Sequence, residues 1–140
     1  LMTRETAEMR LQSVQMGRSL LELLRNLDRL TSDQARWTDT HTANLPMMMA
    51  LAFANDGASV SHALHAYSFG WAENMTQAAI KTIPLGQSAG QRMLMTLARA
   101  IPTAVARAIE LPEDERVSFA PRLAILSSRH EHQYSRLFRS

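Results

Sequence analysis

Three groups of residues have the types and spacing to do chemistry. Gly86-Gln87-Ser88-Ala89-Gly90 matches G-x-S-x-G, the pattern that lifts a serine hydroxyl for nucleophilic attack when a strand precedes it and a helix follows. His62 and His65 are three residues apart, a spacing that puts both imidazoles on one side of a helix where they can share a divalent metal. Two imidazoles without a third ligand make a weak site. His130-Glu131-His132 repeats that chemistry near the C-terminus, imidazole being a good ligand for late first-row metals. Lys81 stands apart as the single lysine among fifteen basic residues. At the end of a helix its charge complements the helix dipole, and a contact to a partner is the sharper reading. With no cysteine, disulfides, thiolate metal sites and a cysteine nucleophile are excluded. Neither a G-x-x-x-x-G-K-[ST] loop nor an H-E-x-x-H pair occurs, so the chain carries no P-loop for a nucleotide and no zincin motif.

The elements around these residues decide among the readings. At 140 residues, 15.7 kDa and 46% hydrophobic, the chain suffices for one domain with a core. Met9, Met16, Leu20, Leu23, Leu27 and Leu30 recur at helical spacing and predict one stripe of a long amphipathic helix. Gly17 weakens that helix and marks a close approach of another backbone. Thr38 to Thr42 reads as a polar turn. Asn44 caps a short, nearly all-apolar helix from Met47 to Ala54 that stops near Asp56-Gly57, its methionines filling the core. Ser59 caps the next helix, whose stripe is Val60, Leu64, Tyr67, Trp71, Met75 and Ala78. That helix ends before Pro84, and Tyr67 and Trp71 are expected in the core. A further helix starts near Gly86 with Leu94, Leu97 and Ile101, is kinked or restarted at Pro102, and continues through Val105 and Ile109. An acidic turn follows, then a short helix from Pro121 to Ser127 and an Arg-rich tail. No period-two alternation with hairpin turns is present. The reading is all-α, a single-domain helical bundle of about six helices, with residues 1–128 forming the domain and 129–140 a docking tail. The serine motif follows a helix and Pro84 rather than a strand, so its small residues are expected to serve packing.

Charge narrows the function further. Fifteen basic against thirteen acidic residues gives +2. The pI of 9.7 follows from that small excess and does not amount to a nucleic-acid patch. From Thr40 to Ile80 the only carboxylate or cationic side chains are Asp56 and Glu73, so this stretch is expected to be mostly covered, by the core or by a partner. No apolar run is long enough to span a bilayer, and Arg4, Glu5, Glu8 and Arg10 do not suit a signal peptide. The tail from Gln133 mixes Tyr134, Leu137 and Phe138 with Arg136 and Arg139, residue types enriched at interface hot spots.

Longer motifs carry a family resemblance. Tyr67-Ser68-Phe69-Gly70-Trp71-Ala72-Glu73-Asn74 and the run from Ala78 through Lys81-Thr82-Ile83-Pro84-Leu85-Gly86-Gln87 to Gln91-Arg92 resemble the central signature of the urease accessory protein F family. The ending from His130 to Ser140 is similar to that family's C-terminus. Arg4-Glu5-Thr6-Ala7-Glu8 and Gln15-Met16-Gly17-Arg18 fit as well.

The resemblance implies an all-helical, dimeric, cytoplasmic protein with no catalytic activity of its own. Such a protein joins a D- or H-type accessory protein and a G-type GTPase in delivering nickel to the urease apoprotein. Nickel and GTP are then handled by the partners, no cofactor is bound directly, and neither nucleic acid nor membrane is a partner. Lys81, Pro84, Leu85, Gly86, Gln87, Gln91 and Arg92 match a family surface linked to the GTPase. His130, Glu131, Tyr134, Ser135, Arg136, Leu137, Phe138 and Arg139 match the segment that docks the D-type partner. A histidine-based nickel carrier using His62, His65, His130 and His132 is the alternative. Relative to the family the sequence lacks an N-terminal part, which is expected to leave some apolar surface exposed.

Overall fold

Thr6 begins the first helix with its own side chain. In this computed structural model, which describes residues 6–116 and 120–134, Thr6 Oγ1 accepts from the Met9 N–H and α1 runs over Ala7–Asn26. The helix closes in a Schellman arrangement. The Arg29 N–H reaches Leu24 O at 2.9 Å and the Asp28 N–H reaches Arg25 O at 3.1 Å. Asp28 sits at the left-handed position, φ 51. Of the segment read as a polar turn, Thr38 to Thr40 instead end a helix, α2, Ser32–Thr40, and His41 and Thr42 lie outside it. Thr31 and Gln34 form a capping box at its start, each side chain bonding the other's backbone N–H. α3, Leu45–Asn55, starts on Asn44, whose Oδ1 accepts from the Met47 N–H at 3.1 Å. It ends where Asn55 bonds Arg29 O and exchanges amide hydrogen bonds with Gln34. Gly57, φ 69, then turns the chain.

The close approach expected at Gly17 is present. A Cβ placed there would lie 2.5 Å from Asn44 C and 2.8 Å from Ala43 O. This contact corrects the face of α1. The buried positions are Gly17 and Leu24, whereas Met16, Leu23 and Leu27 of the expected stripe are exposed. A helix that touches its neighbour through a bare backbone centres the contact on the glycine, which rotates the flanking large side chains outward. α3 supplies Met48, which is 0% exposed.

α4, Val60–Thr82, is capped by Ser59, whose hydroxyl accepts from the His62 N–H at 3.2 Å. α5, Gln87–Glu110, packs on it. The buried line of α4 is Ala72 and Thr76, not the large stripe. Val60 is 69% and Trp71 57% exposed, Met75 is exposed, and Leu64 and Tyr67 are half-buried. The core placement of Trp71 is therefore overturned, and the core of this chain leaves much of the charge-poor stretch uncovered. Small side chains win the α4–α5 contact because Gly90 and Thr76 let the two backbones close, and the wide stripe then faces about a quarter-turn away. α5 passes through Pro102 as one helix. Pro102 is exposed, so water can reach the carbonyl that its missing N–H leaves free. Pro102→Ala is expected to stabilise the chain by about 1–2 kcal/mol once the lost rigidity of the unfolded chain is offset. A thermal melt of the variant checks this, and an unchanged midpoint would sink it.

A 3-10 turn at Glu113–Glu115 precedes α6, Pro121–Glu131, which extends four residues beyond the helix expected from sequence. The chain divides into two compact units, Leu1–Asn55 with Val117–Ser140, and Asp56–Arg116. In the first, α1 packs on α3 and on α6; in the second, α4 packs on α5. The helices bear out the all-α class. Among the described residues no helix is long and apolar enough to cross a membrane. Large apolar side chains are exposed on each unit, for example Leu11, Leu27, Val60 and Ile125.

Candidate partner-docking surface

The turn between α4 and α5 gathers most of the residues singled out from the centre of the sequence. Pro84 restricts Ile83 to an extended conformation, φ −116 and ψ 142, and α4 stops there. The Ile83 N–H still reaches Ala79 O at 2.9 Å, so the last turn is closed. Lys81 lies in that last turn, where its charge complements the carbonyl end of the helix. Gly86 starts α5 without a side-chain cap. Gly90, one turn in, is buried against α4: an added Cβ would lie 2.7 Å from Ile80 Cγ1. The G-x-S-x-G pattern is thus a helix start with one packing glycine, and Ser88 is exposed on its first turn with a helix rather than a strand before the turn. Thr76 Oγ1, beneath this contact, is buried without a hydrogen-bond partner.

Around this turn Lys81, Pro84, Gly86, Gln87, Gln91 and Arg92 are exposed and Leu85 is half-buried. Gln87 and Gln91 are one turn apart and share a face of α5. From Asn74 to Ile109 the charged residues are Lys81, Arg92, Arg99 and Arg107, all of them basic. The arginines at 92 and 99 are two turns apart on the same outer face. Long cationic side chains, amides and a proline on a rigid helix end form a surface suited to an acidic protein partner, since charge of the opposite sign steers and registers such a contact.

The C-terminal group is arranged differently. His130 and Glu131 are held within the chain, against the first turn of α1: His130 Nδ1 lies 2.9 Å from both Glu8 carboxylate oxygens, and the Glu8 N–H donates to Glu131 Oε1 at 2.7 Å. Tyr134 is fully exposed. Ser135, Arg136, Leu137, Phe138 and Arg139 lie outside the described residues. The histidines of the alternative reading fall in separate units: His62 and His65 on α4, His130 and His132 at the end of α6. His65 Nδ1 is 2.7 Å from Ser61 O and His132 Nδ1 2.9 Å from Ser128 O, so each ring is tied to its own helix. Among the described residues no three His, Cys, Asp or Glu side chains are grouped to hold a metal ion.

Two features escaped the sequence reading. Trp37 stacks on His41 with ring centroids 4.1 Å apart and planes 9° from parallel. Arg25 reaches Thr38 Oγ1 at 3.0 Å and Asp39 at 2.6 Å, joining α1 to α2. The capping box at Thr31-x-x-Gln34 was the available signal, because it starts a helix on which 37 and 41 are one turn apart.

Similarity to known proteins extends over the whole chain. The UreF family model matches residues 1–98. The urease accessory protein UreF of Polaromonas sp. is 59% identical over 140 residues, a match covering 100% of this chain and 60% of the relative. That of Paracidovorax citrulli is 57% identical over 142 residues, covering 99% of this chain and 56% of the relative. That of Methylibium petroleiphilum is 54% identical over 144 residues, covering 100% and 60%. The chain therefore spans about 60% of the length of the curated relatives it matches.

Proposed function

The chain belongs to the UreF family of urease accessory proteins, and from that premise we propose that it is a non-enzymatic assembly factor for urease, working by protein contacts alone. In this reading it joins a D- or H-type accessory protein to a G-type GTPase and regulates GTP-dependent nickel insertion into the urease apoprotein. Nickel and GTP stay on the partners, and no cofactor is held by this chain. It acts as a homodimer in the cytoplasm.

The observation that carries the reading is the exposed, wholly basic α4–α5 turn. Lys81 and Arg92 supply charge, Pro84, Leu85 and Gly86 supply a rigid apolar rim, and Gln87 and Gln91 supply hydrogen bonds. This is the contact we assign to the GTPase. The C-terminal segment, with Tyr134 at its start and Ser135, Arg136, Leu137, Phe138 and Arg139 beyond, is assigned to the D-type partner. His130 and Glu131 join that contact once released from α1.

Charge reversal tests the assignment. Lys81→Glu combined with Arg92→Glu, in the full-length protein, is expected to weaken GTPase retention at least about tenfold in co-purification and to flatten its salt dependence. Retention equal to the parent's at both low and high salt would remove the turn from the interface.

A further inference from the structure

Three arginines run along the outside of α5. Arg92, Arg99 and Arg107 are all exposed. They stand seven and eight residues apart, so they are about 10 and 12 Å apart along the axis and fall within about 80° around it. They lie on the side away from Val105, which is buried. Among the described residues none of the three guanidiniums has an ion-pair partner. Elsewhere the chain pairs arginines with its own acids, Arg25 with Asp39 and Arg36 with Asp33. α5 has no such acid to offer before its last residue, because none occurs from Asn74 to Ile109. Arg107 lies in the last turn, where the helix dipole favours a cation. Arg92 and Arg99 have no local reason of that kind. A shallow groove adjoins the row, lined by Ala100, Thr103, Ala104, Arg107, Ala108 and Leu111. Its alanines leave room for an aliphatic side chain from outside, beside the Arg107 guanidinium.

We propose that the outer face of α5 is a docking track for an acidic amphipathic helix of a protein partner. Carboxylates on that helix meet Arg92, Arg99 and Arg107, and an aliphatic side chain between them enters the alanine groove. Spacing favours a helix as the occupant: carboxylates seven residues apart on a helix repeat at about 10 Å, the interval of the arginines. Each guanidinium presents a planar fork that holds a carboxylate by two parallel bonds. Nucleic acid fits less well. B-DNA carries one charge per about 1.7 Å of its axis, whereas three cations are spread over about 22 Å here and the net charge of the chain is only +2. The track begins at Arg92 and so continues the contact assigned to the GTPase. It rests on that assignment for the identity of the partner alone.

Fluorescence anisotropy with the full-length protein tests it. The probe is a labelled designed helix of about twenty residues, with glutamates at seven-residue intervals and leucines beside them. A shuffled peptide of the same composition is the control. The in-register probe is expected to bind at least about fivefold tighter than the shuffled one, and more weakly as salt rises. Arg99→Glu combined with Arg107→Glu should weaken it at least about tenfold, while Arg18→Glu, at an exposed arginine of α1, leaves it unchanged. A probe with lysine in place of glutamate should bind the double variant and not the parent. Equal binding of the two glutamate probes would overturn the proposal, as would undiminished binding by the double variant or tighter binding of a DNA duplex of similar length. Co-purification with the GTPase is read separately. If the Lys81→Glu, Arg92→Glu variant loses the GTPase and the Arg99→Glu, Arg107→Glu variant keeps it, the GTPase is confined to the turn and the track is overturned as part of that contact. If both variants keep the GTPase while the second loses the probe, the GTPase assignment falls and the track stands.

Discussion

Met48→Ala is expected to destabilise the chain by about 3 kcal/mol, which corresponds to a fall in Tm of about 10 °C for a chain of this size. Met48 is fully enclosed, 0% exposed, on the α3 face that meets α1. Truncation removes three heavy atoms from a fully enclosed site. The nearest approach of the two helices is set by Gly17 against Ala43 and Asn44, so they cannot close further to fill the space. The cavity term therefore adds to the lost burial. Met49→Ala, on the half-buried neighbour, should cost less than half as much. A denaturant series on both variants checks the pair. Equal, small effects would mean that the α1–α3 contact is not the core of its unit.

Gly17→Ala has the second largest expected effect, and its sign is not the one that helix propensity gives. Alanine in a helix interior gains about 1 kcal/mol over glycine. The new Cβ, however, would lie 2.5 Å from Asn44 C and 2.6 Å from Asn44 Cα. These are backbone atoms at the start of α3, and no side-chain rotation relieves the overlap. The helices must separate, and overpacking of this kind costs about 3 kcal/mol, leaving a net loss of about 2 kcal/mol. Gly90→Ala provides the contrast, since it meets the Ile80 side chain rather than backbone. Ile80 can shift, so the net loss there should be under about 1 kcal/mol. Urea unfolding of the two variants decides the ranking. A stabilised Gly17→Ala would show that α1 and α3 do not approach as described.

These two glycines also show where sequence reading succeeds and where it stops. A glycine inside a strong helical pattern has no local reason to be there, so Gly17 signals a backbone contact from the sequence alone. The helix starts at Asn44 and Ser59 are readable for the same kind of reason: each caps an N-terminus with its own side chain, a strictly local event. The buried faces are not readable. A stripe of large apolar residues, such as Val60, Trp71 and Met75, is the ordinary mark of a core face. Here the tight contacts belong to Gly17, Ala72, Thr76 and Gly90, because small residues bring backbones together, and a pattern based on hydrophobicity cannot score an absent side chain. α2 escapes notice because its residues are polar and its start depends on one reciprocal pair, Thr31 and Gln34.

The candidate surface divides in the same way. Lys81 to Arg92 is contiguous in sequence and stays contiguous in space, because one proline and one helix start confine it to a single turn. His130 and Glu131 adjoin Tyr134 in sequence, yet they bind Glu8, more than 120 residues away. Nothing local to the C-terminus signals that pairing. It means that the two proposed contacts, at the C-terminus and at the α4–α5 turn, would obey different rules. The α4–α5 turn is formed by two packed helices, whereas His130 and Glu131 are paired with the first turn of α1.

The proposed docking of a G-type GTPase through the α4–α5 turn is tested most directly by nickel-dependent activation of urease apoprotein. The reconstituted mixture holds D-type protein, GTPase, GTP and nickel, with the full-length protein or its Lys81→Glu, Arg92→Glu variant. Activation is expected with the parent and about a tenth of it or less with the variant, while circular dichroism shows both equally helical. Full activation by the folded variant would contradict a role for this turn in docking the GTPase.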